Sequence, residues 1–298
     1  MREGLTGIQR LYKTIMGLQI MKTVDVSVVI LQKNELLHIR RCLEGLKRLN
    51  PRAVFIVDCY SSDGSDKLAT ELGAKVVYHE WPGNQASQFQ WAIENLPIES
   101  TWILRLDADE YLTDELIDEI KGKLPQIECD VDGVVLKRRH VVGWLGNRWV
   151  KRGMYPAKIL RLFRRGYGRS DMKIMDEHII VQRKVIEFEH DFVDHSLISF
   201  EEWKEKHRNY AKREAQSYMS GERSSGEKAA KKEAYYRLPR YLRAFAYFCV
   251  RYVVKLGFLD GVVGLRWHFW HGLWYRSLVD NAIGQMKLLP KKHSHTDR

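Results

Sequence analysis

Two apolar periodicities alternate along the first half of the chain. Val24–Leu31 (VDVSVVIL) is a β-branched run of buried-strand type, and Glu35–Leu49 repeats Leu at helical spacing. Ala53–Val57, Lys75–Tyr78 and Trp102–Leu106 read as further strands, with helices predicted over Gln85–Glu94 and Thr113–Lys123. Ser61–Ser65 (SSDGS) supplies turn residues, and Ser65 is placed to cap a helix running to Leu72. Asp114 and Glu115 suit the positive end of the helix they open. Alternation of this kind predicts an α/β fold, a mostly parallel sheet covered on both faces. Beyond about residue 130 the pattern shortens to strands over Gly133–Val142, Ala157–Phe163 and His178–Val193. From Phe200 it is helical, with a polar break at Ser220–Gly226. The expected division is an extension over 1–22, an α/β catalytic domain over 23–199, and a helical region over 200–298.

Composition places the chain among globular proteins, since 45% of its 298 residues are hydrophobic and 29% charged. Charge changes the picture more. Residues 203–298 hold 20 Lys/Arg against 8 Asp/Glu, which accounts for essentially the whole net charge of +11. A basic C-terminal third points to an anionic partner: a membrane surface, a phosphorylated lipid or nucleic acid. Tyr235–Tyr275 contains 13 aromatic residues. It has no apolar stretch of the ~18 residues needed to span a bilayer, so its mixture of aromatics, Leu and basic residues predicts helices lying in the interface plane. A helical hairpin packed on the catalytic domain, or on a second copy in a homo-oligomer, is the competing reading. Nucleic acid is set aside as a partner because no RNP-like or KH signature is present. The scattered Cys42, Cys59, Cys129 and Cys249 form no zinc spacing and read as free thiols of a reducing compartment. With no secretory signal in the sequence, the expected location is cytoplasmic, peripheral on the cytoplasmic face of the inner membrane.

The chemistry concentrates in Asp107-Ala108-Asp109-Glu110, directly after the strand Trp102–Leu106. Strand alternation would put Asp107 and Asp109 on one face, at the carboxyl end of a parallel strand where α/β sheets bind ligands. Two hard oxygen donors there suit Mg²⁺ or Mn²⁺, completed by diphosphate oxygens and water. The competing reading is an acid cluster at the start of the next helix. Upstream, Asn34-Glu35 and Asp58 each close a strand, where a carboxylate can meet ribose hydroxyls or a base edge, or simply cap a turn.

VSVVILQKNE, VDCYSSDGS (57–65) and LDADEYL (106–112), in that order, resemble the family-2 nucleotide-sugar glycosyltransferases over roughly residues 24–200. The resemblance implies a GT-A, Rossmann-like fold with a C-terminal helical extension, a single inverting displacement and a divalent metal. Glu35 and Asp58 would contact the nucleoside, and Asp107 and Asp109 would sit at the diphosphate and metal. Two features depart from the family pattern: Cys59 and Tyr60 in the turn, and the absence of a basic residue in Asn84–Gln90. An inverting transfer needs a base for the acceptor hydroxyl. Resemblance to the lipopolysaccharide-core glucosyltransferase branch favours Glu177 in MDEH (175–178), with Asp176 second, and implies that His195 completes the metal site. The same branch carries an FLDG…GL segment like Phe258–Gly261 and Gly264-Leu265, in a tail regarded as membrane-facing. Arg161, with Arg164 and Arg165, is a candidate for a diphosphate or acceptor phosphate.

The expectation is therefore a metal-dependent hexosyltransferase that uses a nucleotide sugar, with a UDP-sugar the expected donor, and a lipid-linked or lipopolysaccharide-type saccharide acceptor. A nucleotidyltransferase would carry a Gly-rich phosphate loop where this chain reads LQKNE. A non-catalytic membrane-surface scaffold would have no reason to keep the DxD and MDEH motifs.

Overall fold

The computed structural model describes residues 23–173, 177–221 and 233–288. The expected extension over 1–22, Asp176, and most of the Ser220–Gly226 break lie outside the described residues. Strand β1 (Val24–Gln32) forms the centre of the parallel part of the sheet, with β2 (Pro51–Asp58) on one side and β4 (Trp102–Asp107) on the other. Beyond β2 lies β3 (Lys75–Tyr78), also parallel. Helices α1 (Leu36–Leu49), α2 (Ser65–Glu71) and α3 (Gln85–Asn95) make the crossovers, and α4 (Asp114–Lys123) follows β5 (Glu110–Leu112).

The near-continuous apolar run of β1 is explained by burial on both faces. Val26, Val28 and Ile30 pack with Ile39, Leu43 and Leu46 of α1 and with Ile117 and Ile120 of α4. Val29, on the opposite face, packs with Phe55, Ile103, Phe163 and with Phe89 of α3. Each such fully buried side chain contributes about 1.5–3 kcal/mol relative to exposure.

The second half of the sheet is mixed. β8 (Ala157–Arg164) runs antiparallel between β4 and β6 (Val131–Val142), and β11 (Lys184–Ser196) lies parallel to β6. The order is β3-β2-β1-β4-β8-β6-β11-β5, with β7 (Arg148–Trp149) on β6. The single strand expected over His178–Val193 is two: β10 (Ile179–Val181) leaves the main sheet to pair with β9 (Gly168–Ser170), and β11 starts afresh at Lys184. Asp132 fixes that break by accepting from the Arg183 backbone N–H and guanidinium.

The C-terminal part is helical. Helix α5 (Phe200–Met219) opens with a capping box in which Ser199 and Glu202 satisfy each other's backbone N–H groups. Helix α8 (Tyr275–Leu288) packs along α5 through Ala211, Ala215, Val279 and Ile283. Between them lie α6 (Leu242–Cys249) and α7 (Gly261–Trp267), each continuing into a π-helical stretch, Val250–Val254 and His268–Trp274. Trp267 joins this region to the sheet, buried among Val142, Leu145, Val150 and Trp203. Among the described residues no helix is long and apolar enough to cross a membrane.

Candidate active site at the carboxyl ends of the parallel strands

Strand order reverses on either side of β1, and the backbone pairs Gln32 with Asp58 and Leu31 with Asp107 across its end. The three strand ends therefore open into one crevice at the topological switch point. Asp58 is fully buried there. Its carboxylate accepts from Gln32 Nε2 at 2.8 Å, from the Ser61 N–H at 2.6 Å and from Ser61 Oγ at 2.7 Å. Asp63 ties the same turn to α1, accepting from the Leu36 N–H at 2.9 Å and from the Ser65 N–H and hydroxyl. That capture corrects the expected cap: Ser65 is the first helical residue, and Gly64, at φ 85°, takes the N-cap position. Glu35 stays more open. Its Oε2 lies 2.6 Å from His38 Nδ1, while His38 Nε2 accepts from the Leu197 N–H, so a neutral His38 donates to Glu35. The two departures in this region are structural: Cys59 is buried against Gln88 of α3, and Tyr60 is exposed and stacked on Tyr78.

Strand alternation does not relate Asp107 to Asp109. β4 ends at Asp107, and Ala108-Asp109 form the turn into β5. Asp107 Oδ2 accepts from Arg161 Nη2 at 2.9 Å, and the same guanidinium reaches Glu110 Oε1 at 2.5 Å. Burial opposes the Asp107 charge, but Arg161 and Arg105 outweigh it and hold this carboxyl below its ordinary value. Asp109 goes the other way. Burial, then the Asp194 carboxylate, push it up to about 6, with Lys206 opposing and Asp107 and Glu35 adding to the rise. One acid is thus held ionised while its neighbour is poised near neutrality.

His195 sits beside this pair on β11, its backbone N–H donating to the Asp109 carbonyl at 3.0 Å. Arg41 only donates, so His195 Nδ1 accepts from it at 3.0 Å, and Nε2 then carries the proton toward Asn147 Oδ1 at 2.8 Å. Burial and then Arg41 push His195 down to about 4, so the ring is neutral near pH 7. Glu177 reaches the site through an arginine: its Oε1 lies 2.5 Å from Arg105 Nη2, and Arg105 shares its strand face with Asp107. Arg161 is itself buried and spends its guanidinium on Asp107 and Glu110. Arg164 and Arg165 spend their guanidinium groups on the backbone carbonyls of Val131, Glu128 and Ser100. A cleft of about 650 Å³ opens beside the cluster, lined by Glu35, Asp63, Ile198, Glu202 and Lys206.

The model of the family described as "Glycosyl transferase family 2" matches residues 27–187, more than half of the chain. The chain belongs to glycosyl transferase family 2. An uncharacterized glycosyltransferase from Rickettsia conorii is 38% identical over 99 residues, 33% of this chain and 34% of that protein. The match thus spans about a third of that relative's length. Among solved structures, S. aureus TarS 1-349 is 14% identical over 88% of this chain and 91% of its own, with a TM-score of 0.40. Glucosyl-3-phosphoglycerate synthase from Mycobacterium tuberculosis, in complex with Mn²⁺, UDP and glucosyl-3-phosphoglycerate, is 16% identical over 47% of this chain and 50% of its own, with a TM-score of 0.33. Scores at that level carry no argument about substrate. The family's GT-A architecture is present here as a mostly parallel mixed sheet with helices on both faces and a C-terminal helical region.

For this family-2 chain the donor set offers Asp107 and Asp109 to a divalent cation. Among the described residues no group of three or more His, Cys, Asp or Glu could enclose one without help. Two carboxylates with hard oxygens fit Mg²⁺ or Mn²⁺ when a diphosphate and water supply the remaining ligands. His195 could join only if its Nδ1 were released from Arg41, or if the ring changed tautomer and gave up Asn147. Five further residues at the site were not singled out from sequence: Arg41, Arg105, Asn147, Asp194 and Lys206. Burial opposes the Lys206 charge, yet Tyr210, Asp109, Glu35 and Asp194 outweigh it and raise its ammonium above the ordinary range. Asp194 accepts from His140 at 3.1 Å and lies 3.5 Å from Arg138. Only Arg105, two residues before Asp107 on one strand, and Asp194, beside His195, carried a local signal.

Proposed function

We propose that the chain is an inverting hexosyltransferase that moves a sugar from a nucleoside-diphosphate sugar, with uridine as the nucleoside, to a saccharide acceptor carried on a lipid. The observation that carries this reading is the meeting of Asp107, Asp109 and the Arg105-bound Glu177 at the switch point of a family-2 sheet. Glu35 and Asp58 line the nucleoside side, Asp58 by shaping the turn through Ser61. Asp107 and Asp109 hold the diphosphate end with Mn²⁺ or Mg²⁺, which when bound neutralises charge on the departing diphosphate. Arg161 keeps Asp107 ionised and aimed. Glu177 takes the proton from the acceptor hydroxyl as its oxygen attacks the anomeric carbon, with Asp176 as second candidate. His195 serves the same cluster, as a ligand once freed from Arg41 or otherwise as a prop for the Asp109 turn.

The FLDG…GL and MDEH resemblances favour a place in bacterial surface polysaccharide synthesis of the lipopolysaccharide-core kind. The basic aromatic tail favours a peripheral position on the cytoplasmic face of the inner membrane. By this reading residues 23–199 are the catalytic domain and 200–298 the region that brings it to the acceptor. The test is a panel of nucleotide sugars assayed for hydrolysis and transfer with Mn²⁺, with Mg²⁺ and with chelator. Asp109→Asn should abolish turnover. Full metal-dependent turnover by that variant would overturn the site.

A further inference from the structure

The loop after β7 faces the segment from Val250 to Val263 across two clefts, of about 550 and 630 Å³, that share Trp149, Lys151 and Arg152. Lys255 lines the first and Arg148 the second. The acid of this region, Asp260, is already engaged: its Oδ2 accepts from the backbone N–H groups of Lys151 and Arg152, both at 2.8 Å. Arg148, Lys151, Arg152 and Lys255 are exposed, and none of the four has an ion-pair partner among the described residues. Lys151 lies over the Trp149 ring, 4.9 Å from its centre.

Beside these cations runs a ridge of exposed apolar side chains. Val254 is 73% and Val262 70% exposed, with Val253, Leu256, Phe258 and Leu259 between them or adjacent. The chain keeps this ridge outward through two tight features, Leu256 at φ 60° and Gly261 at φ 62°. An apolar ridge rimmed by unpaired cations needs a partner that is apolar inside and anionic outside. A second copy of the chain would set four like charges against themselves, and a nucleic acid would leave the apolar ridge in water. A bilayer with anionic headgroups meets both demands, and no described helix is suited to cross it.

We propose that residues 250–265 lie in the headgroup–acyl boundary of an anionic bilayer, with lipid phosphates seated in the clefts by Arg148, Lys151, Arg152 and Lys255. This deepens the reading of a lipid-carried acceptor and rests on it. Asn147, just before β7, lines the second cleft and is bonded to His195, whose backbone N–H meets the Asp109 carbonyl, so a bilayer held there lies two contacts from the carboxylate cluster.

The test is flotation of the full chain with vesicles of phosphatidylglycerol and phosphatidylcholine, against vesicles of phosphatidylcholine alone. The wild type should float with the first and not with the second. Removing three cations in Lys151→Gln/Arg152→Gln/Lys255→Gln should lower partitioning by roughly a hundredfold, about fivefold per charge near an anionic surface. Val254→Ser/Val262→Ser should lower it through the apolar ridge alone. Both variants should keep the wild-type thermal melt and the metal-dependent hydrolysis of UDP-sugar measured without vesicles. Unchanged flotation of the triple variant, or equal flotation of wild type on both vesicles, would overturn the surface. Sedimentation showing a dimer that the ridge variant dissolves would overturn it in favour of a second copy. If flotation behaves as expected while no nucleotide sugar is turned over, the transferase reading fails and the surface stands.

Discussion

Replacing Arg161 by Met removes the one cation that, among the described residues, touches both Asp107 and Glu110. Its Nη2 lies 2.5 Å from Glu110 and 2.9 Å from Asp107, and the side-chain exposures are 6% for Arg161, 1% for Glu110 and 33% for Asp107. Met fills most of the volume, so the effect is mainly electrostatic. Truncating one partner of a buried pair costs about 3–5 kcal/mol because the other charge is stranded. The share on Asp107 is small, since it is one-third exposed and screened by water. Glu110, whose carboxyl burial pushes up to about 8 against the pull of Arg161, takes up a proton once the cation is gone, so the cost falls at the lower end of that range. Adding Glu110→Gln supplies a partner that is neutral without taking up a proton and should return about 1 kcal/mol, making the double variant more stable than the single. Urea unfolding at neutral pH measures this, the midpoint moving with little change in slope. Glu110, pushed up to about 8 by burial, changes the gap only at alkaline pH; toward acid the sign is fixed by Asp107, whose carboxyl is held below its ordinary value. The stability it contributes is present above the unfolded carboxylate range of about 4 and is lost as pH falls further, so the gap between wild type and Arg161→Met should narrow there. A loss under about 1 kcal/mol, or a double variant weaker than the single, would refute the reasoning.

Because Asp109 is pushed up to about 6, a proton competes with the cation below that value, and Mn²⁺ affinity in the presence of UDP should fall about fivefold between pH 6 and pH 5 and level off above about 7. Calorimetry across that range checks it; a flat profile would remove Asp109 from the metal site. Glu177→Gln should reduce transfer to acceptor by about 10²–10⁴-fold while leaving donor affinity nearly unchanged, and a parallel loss of donor binding would deny it the role of base. A Cβ on Gly264 would stand 2.1 Å from the Gly257 carbonyl oxygen, so Gly264→Ala should destabilise the helical region by about 1–3 kcal/mol, read as a lowered melting transition. An unchanged melt would show that the 257–264 turn yields freely.

The sequence by itself determined the parallel half of the fold and named the acids at the centre of the candidate site. β1, α1, β2, α3, β4 and α4 follow from local periodicity, because burial on one or both faces imposes its period wherever the chain supplies a long enough run. Asp107, Glu35 and Asp58 were legible as candidates because the end of an apolar strand in such a sheet stands at the ligand-binding edge, whereas Asp109 is brought to that edge by a turn and not by strand alternation. Where local rules compete, the outcome turned on a contact: Ser65 had the chemistry of a cap, but Asp63 holds it and Gly64 takes the place. The antiparallel insertion of β8 beside β4 left no trace in periodicity, because period two does not encode which strand is the neighbour. That insertion places Arg161 on Asp107, 54 residues away, and the paths of the following segments bring Glu177 to Arg105 across 72 residues and His195 to Arg41 across 154. Which acid is ionised and which is poised near neutrality was therefore decided by tertiary structure alone, since a carboxyl's charge depends on the burial and the cations that folding brings to it.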